Sequence, residues 1–147
     1  MIFTTAFLLL FDLASSRLDQ KDADCALRKV FTQKRVVHFA NPHWPSHYRA
    51  DTRCKWIFNC QEGHLCRLLC DTLGLPRSKN CAVDKLRVSD VNGSKKSAKI
   101  YCGQDVIDIV SNGTKITLEL FTSRRSPGGR FKCSVQTASP LQARYLF

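Results

Sequence analysis

Asn41-Pro42-His43-Trp44-Pro45-Ser46-His47-Tyr48, followed after five residues by Cys54-Lys55-Trp56-Ile57-Phe58, is the stretch on which the fold turns. Two prolines and an asparagine make a stiff, irregular loop, because proline fixes φ and asparagine bonds its own local backbone. The cysteine-bounded run after it is aromatic and β-branched, and it reads as a strand. A loop that rigid caps a packed sheet.

The rest of the chain repeats this pattern. Segments 36–39, 55–59, 65–69, 85–88, 98–101, 106–110, 114–121 and 130–136 are short, rich in β-branched or aromatic residues and set apart by turn residues. Asn92-Gly93, Asn112-Gly113 and Pro127-Gly128-Gly129 are the turn signals, and the two Asn-Gly pairs have the chemistry of two-residue hairpins. Ile116, Leu118 and Leu120 alternate with Thr117 and Glu119, so that segment buries one face. A turn around Gly63 would set Cys60 across from Cys66, Phe58 from Leu68 and Trp56 from Cys70 on one face of a hairpin, which makes a Cys60–Cys66 bridge geometrically reasonable. No segment keeps a helical period. The expectation is an all-β, antiparallel, disulfide-stapled sandwich.

Composition bounds the class. A length of 147 residues suits one domain, and eight cysteines in so short a chain point to an oxidising compartment. No Cys-x-x-Cys knuckle is present to suggest zinc. Residues 1–16 read as a signal peptide: Ile2 to Leu10 is apolar apart from Thr4 and Thr5, and Ala14-Ser15-Ser16 offers small residues for cleavage. The run falls short of the ~20 apolar residues of a membrane span. A short acidic lead (17–24), one domain (25–137) and a tail (138–147) complete the division. The expected location is extracellular, with no stable membrane anchor.

Charge is the second bound. The formal net charge is +11, so anionic partners are expected: a sulfated or acidic glycan, or an acidic extracellular protein, rather than nucleic acid. The densest clusters are Lys95, Lys96 and Lys99, and Arg124, Arg125, Arg130 and Lys132, all candidate anion-binding residues. Arg28-Lys29 and Lys34-Arg35 stand behind them. Any one cluster alone reads first as a solvated, solubility-conferring surface, and it is the total charge that points to anionic partners.

Four motifs stand in one order along the chain: the opening run, Cys81-Ala82-Val83-Asp84-Lys85-Leu86-Arg87-Val88, Tyr101-Cys102-Gly103, and Gly129-Arg130-Phe131-Lys132-Cys133. Together they resemble the CUB family, whose fold is a secreted jelly-roll β-sandwich, and in particular the single-CUB venom proteins of arthropods. The resemblance implies Cys25–Cys54 and Cys81–Cys102 as the usual bridges and Cys70–Cys133 as an additional one, leaving Cys60–Cys66 as the staple near Gly63.

The resemblance also implies a place to look for calcium, at an acid eight positions before Asp84, at Asp84 itself and at an Asp in the loop after the 114–121 strand. Those positions hold Pro76, Asp84 and either Arg124 or Ser123. One carboxyl group is too few for an ion that takes six to eight oxygens, so no metal site is expected. Two readings of Arg124 stand: a guanidinium beside Asp84 in place of the ion's charge, or a solvated side chain.

Two sequons, Asn92-Gly93-Ser94 and Asn112-Gly113-Thr114, make Asn92 and Asn112 glycosylation candidates. Catalysis finds no support: His38, His43, His47 and His64 lack metal-binding spacing on a helix, and no nucleophile elbow occurs. The expected function is non-enzymatic and cofactor-free: a venom or salivary component that binds an extracellular target through loops and a basic surface. The alternatives are a glycan- or heparin-binding adhesive protein like the spermadhesins, and a stand-alone regulatory CUB module related to arthropod serine proteases.

Overall fold

The computed structural model describes residues 25–30, 36–91 and 98–143. The expected signal peptide and acidic lead, Lys34, Arg35, Asn92, Lys95, Lys96 and the end of the tail lie outside the described residues, as do the side chains of Arg28 and Lys29.

Nine strands are described: β1 (Ala26–Val30), β2 (Val36–Ala40), β3 (Arg53–Asn59), β4 (Leu65–Gly74), β5 (Asp84–Ser89), β6 (Lys99–Tyr101), β7 (Gln104–Val110), β8 (Lys115–Thr122) and β9 (Arg130–Ala138). They form a five-stranded sheet in the order β1-β3-β8-β5-β6 and a four-stranded sheet in the order β2-β9-β4-β7. Helical geometry among the described residues is confined to a 3₁₀ turn at Lys79–Cys81 and one turn at Pro140–Ala143. The result is the expected disulfide-stapled β-sandwich, antiparallel except for β1, which pairs with β3 in parallel.

Strand alternation builds the core. β5 and β8 bury every second residue, so Leu86, Val88, Ile116, Leu118 and Leu120 face inward with Trp56 and Phe58 of β3. Leu68, Ile107, Phe131 and Val135 meet them from the four-stranded sheet. Aromatic rings join the layers: Trp56 packs edge-on against Phe131 with centroids 5.7 Å apart, and Phe39 lies 5.0 Å from Phe58. Each of these buried side chains contributes about 1.5–3 kcal/mol by leaving water.

Sheet membership corrects the turn reading. Among the described strands, β5 and β6 are the only consecutive pair that are hydrogen-bonded neighbours; every other connection changes sheet. The turn around Gly63 therefore makes no hairpin ladder. β3 pairs with β8 instead, and Trp56 and Phe58 face Leu68 and Cys70 across the sandwich rather than beside them in one sheet. Asn112-Gly113 likewise joins β7 of one sheet to β8 of the other, and neither residue takes a positive φ. Asn-Gly there serves a crossing, not a two-residue hairpin. The Asn92-Gly93 turn falls outside the described residues.

Four disulfides tie these elements: Cys25–Cys54, Cys60–Cys66, Cys70–Cys133 and Cys81–Cys102, and no described cysteine is free. Cys60 follows β3 and Cys66 lies in β4, so their bridge joins the two sheets. Cys70 sits at a β-bulge, where the register against β9 shifts between Leu69 and Thr72. The extra residue moves the inward positions from Cys66, Leu68 and Cys70 to Leu73 and Leu75.

Candidate functional site

The opening loop and the end of β5 meet in one polar cluster. Asn41 is buried and divides its amide: Nδ2 donates to the carbonyls of Pro42 and Ser46 at 2.7 and 3.1 Å, while Oδ1 accepts from the Phe131 N–H at 2.8 Å. That fixes the proline loop to β9. The backbone then brings Tyr48 under the β8–β9 connection, its N–H donating to the Gly129 carbonyl at 2.8 Å.

Tyr48 Oη donates to Asp84 Oδ2 at 2.6 Å, and Ser126 Oγ donates to the same oxygen at 2.5 Å. The Ser123 N–H donates to Asp84 Oδ1 at 3.2 Å, and the Gly128 N–H closes the turn onto Ser126 Oγ. Asp84 is fully buried. Burial pushes the Tyr48 phenol well above its ordinary value, and its hydrogen bond to Asp84 pushes it the same way.

The glycines of this connection are there for space. A side chain at Gly129 would place its Cβ 2.6 Å from the Gly74 carbonyl and 2.7 Å from Tyr48 Oη. Gly128 adopts φ of 87° and would collide with the Tyr48 carbonyl. The turn signal Pro127-Gly128-Gly129 thus encodes close approach to Tyr48 as much as chain reversal.

The basic residues divide among several surfaces. Arg124 and Arg125 are exposed in the β8–β9 connection, Lys99 is exposed on the edge strand β6, and Arg130 and Lys132 are the exposed alternate residues of β9 in the other sheet. The described anion-binding candidates are therefore not gathered into one patch. The structure aligns basic residues that the turn-based reading passed over: Arg53 and Lys85 flank Phe121, and Lys55 and Arg87 flank Glu119, across β3, β8 and β5. The signal for them was period-two alternation, since Lys85 and Arg87 interleave with the buried Leu86 and Val88.

A family model for the CUB domain matches residues 25–134. The chain belongs to the CUB family. The cubilin homolog of Drosophila melanogaster is 24% identical over 96 residues, covering 65% of this chain and 3% of that protein. The full extracellular region of zebrafish Gpr126/Adgrg6 superposes with a TM-score of 0.65 at 16% identity, over 80% of this chain and 15% of that one. The CUB2 domain of MASP-1, solved bound to Ca2+, gives a TM-score of 0.59 at 18% identity, over 73% of this chain and 96% of that one. At such identities the structural likeness concerns the fold. CUB domains are in general non-catalytic binding modules, and the matched zebrafish region is extracellular.

The positions at which the resemblance implies calcium are Pro76, Asp84 and either Arg124 or Ser123. Of these residues only Asp84 offers a carboxyl group, and its oxygens accept from Tyr48, Ser126 and Ser123. Arg124 does not stand in for the ion: its side chain is exposed and makes no ion pair with Asp84. A network of neutral donors occupies the place, which corrects the guanidinium reading.

The histidines are dispersed. His38 is on β2, His43 and His47 are exposed in the proline loop, and His64 is in the β3–β4 crossing. Among the described residues no group of three or more His, Cys, Asp or Glu could hold a metal ion. No described helix is long and apolar enough to cross a membrane. Asn112 is exposed on the β7–β8 crossing, with its N–H bonded to the Asp90 carbonyl.

Proposed function

We propose that this CUB chain is a secreted, non-enzymatic protein, a venom or salivary component, that binds an anionic extracellular target without calcium. The target is an acidic extracellular protein or a sulfated or acidic glycan. The observation that carries this reading is the excess of 23 lysines and arginines over 12 acids on a scaffold whose calcium-position carboxyl is already bonded to three internal donors. Such a surface attracts polyanions at long range and holds them with charge-assisted hydrogen bonds. The eight cysteines and the apolar leader support secretion. The exposed Asn112 supports glycosylation on the β7–β8 crossing, and Asn92 is proposed with it on sequence alone.

The test is retention of the oxidised chain on heparin, polyglutamate and an uncharged matrix, across a salt series with calcium or with chelator. Retention on a polyanion that falls steeply with salt and is unchanged by chelation is expected. Absence of retention on either polyanion, or retention that requires calcium, would overturn the reading. Transcripts confined to tissue other than venom or salivary gland would remove the venom assignment alone.

A further inference from the structure

The outward face of the five-stranded sheet frames one aromatic ring with cations. Arg53, Phe121 and Lys85 are cross-strand neighbours on β3, β8 and β5. The Arg53 guanidinium carbon lies 5.6 Å from the Phe121 ring centre and Lys85 Nζ lies 5.4 Å from it. Two residues along, Lys55, Glu119 and Arg87 make a second row. Four cations thus surround one acid on this face. At its upper end the exposed Arg49, Arg124 and Arg125 lie in the connections bonded to Thr122 and Ser123, with Asp51 the acid among them.

Beside Phe121 the surface dips into a shallow cavity of about 210 Å³, lined by Arg53, Cys81, Val83, Lys85, Phe121 and Ser123. It is smaller than the ~300–1,000 Å³ of a pocket for a drug-sized ligand and suits a single anionic group or one sugar ring. Cations gathered on either side of β8 repel one another, a cost that a bound anion relieves. Arg53 and Lys85 stand two strands apart, so their backbones are about 10 Å from each other, and residues two apart on one strand are about 7 Å apart. A spacing repeated in two directions on a flat face matches an extended polyanion better than one compact ligand.

We propose that this face binds a sulfated polysaccharide, with sulfates on Arg53 and Lys85, whose cationic groups are held over the Phe121 ring. The proposal rests on the polyanion reading above and narrows it to one surface and one ligand class. Glu119 opposes anions in the second row, so the row of Arg53, Phe121 and Lys85 is the centre, and Lys55 and Arg87 extend it. The glycan is favoured over an acidic protein because an open strand face with a one-residue dip offers no groove for a peptide, while cations repeated about 7–10 Å apart across the strands match sulfates along a polysaccharide. Arg53, Lys85 and Phe121 are not among the hydrogen-bond partners of Asp84, although Ser123 lines the cavity and donates its N–H to Asp84.

The test uses the oxidised full chain and two paired variants of equal charge, Arg53→Ala with Lys85→Ala, and Arg130→Ala with Lys132→Ala in the other sheet. All four side chains lie on outward strand positions, and unchanged thermal unfolding would show that each variant folds. Heparin affinity is expected to fall at least tenfold in the first variant, with the slope of log affinity against log salt reduced by about two, one for each lost contact. The second variant should lose less than threefold. Phe121→Leu should lower affinity severalfold with the salt slope unchanged, because it removes a ring and no charge. Equal losses in the two charge variants would overturn the site while leaving the polyanion reading intact. Preference for polyglutamate over heparin would overturn the ligand class, and no binding to either polyanion would overturn both the site and the reading on which it rests.

Discussion

Two of the connections that cross between the sheets are held by opposite means. The crossing from β3 to β4 is closed by the Cys60–Cys66 bridge, while the crossing from β8 to β9 hangs on hydrogen bonds to one buried carboxyl group. A covalent bond holds whatever the pH and fails with reductant. A polar cluster persists in reductant and depends on every donor and acceptor being present. The difference shows why the second crossing is so particular in sequence: serine at 123 and 126, glycine at 128 and 129, and tyrosine at 48 each answer a geometric demand, whereas the first crossing is set by its two cysteines and by Gly63, which adopts φ of 73°.

The largest break in that comparison should come from Asp84→Ala. It leaves the buried Tyr48 Oη and the part-buried Ser126 Oγ without their acceptor, while the Ser123 N–H keeps its bond to the Val83 carbonyl at 3.0 Å. Leaving a buried group unsatisfied costs about 1–3 kcal/mol each, so a loss of roughly 3 kcal/mol or more is expected by denaturant unfolding. A loss under about 1 kcal/mol would mean that the cluster is not what holds the β8–β9 crossing. On the covalent side, replacing Cys60 and Cys66 together by alanine opens a loop with a sequence separation of 6. The chain-entropy relation gives about 2 kcal/mol for so short a loop. A greater loss than for Asp84→Ala would reverse the ranking of the two crossings.

Much of the architecture was legible because strand alternation and turn chemistry are local. β8 shows this best: Ile116, Leu118 and Leu120 announce a buried face, and the structure buries each of them. Partner strands were not legible, because the same alternation fits a neighbour in one sheet or a facing strand in the other. Gly63 illustrates it: a tight turn between two strands looks alike whether they pair or separate to opposite layers, and here they separate. The β1–β3 parallel pair was missed for a related reason, since Ala26–Val30 carries two cations and only short apolar signals. At the candidate site, Asp84 could be singled out by its motif, but its partners Tyr48 and Ser126 are 36 and 42 residues away and only folding unites them. The basic face escaped because clusters were sought along the chain, while Arg53 and Lys85 become neighbours only through β8.

A smaller effect sharpens the polar side. The phenol of Tyr48 is raised by burial and by Asp84, so its folded-state value lies above the unfolded value of about 10. A raised value means that the stabilisation is complete below about pH 10 and is lost as the pH climbs from there toward the folded value. Tyr48→Phe should therefore cost about 1–2 kcal/mol near neutrality, through the lost hydrogen bond, and flatten the alkaline decline. Tyr101, raised by burial and by Asp105, keeps some of that decline in the variant. Parallel stability curves for the two proteins up to high pH would show that Tyr48 is not the titrating group.

The smallest effect belongs to an exposed carboxylate, which serves as the control for Asp84. Asp108 of β7 accepts two hydrogen bonds from Arg67 of β4, at 2.9 and 2.8 Å, on the outer surface of the four-stranded sheet. The Arg67 hydrogen bond holds the Asp108 carboxyl below its ordinary value. Stability from this pair is thus present above about pH 4 and lost as the pH falls through the folded value. With side chains 27% and 37% exposed, water screens the pair, and Arg67→Ala should cost no more than about 1 kcal/mol. That cost should shrink toward zero as acid protonates Asp108 or as salt is added. Asp84→Ala should stay costly in high salt, because its partners are neutral donors in a dry interior rather than a charge at the surface. If salt abolished both effects alike, burial would not be what separates the two carboxyl groups.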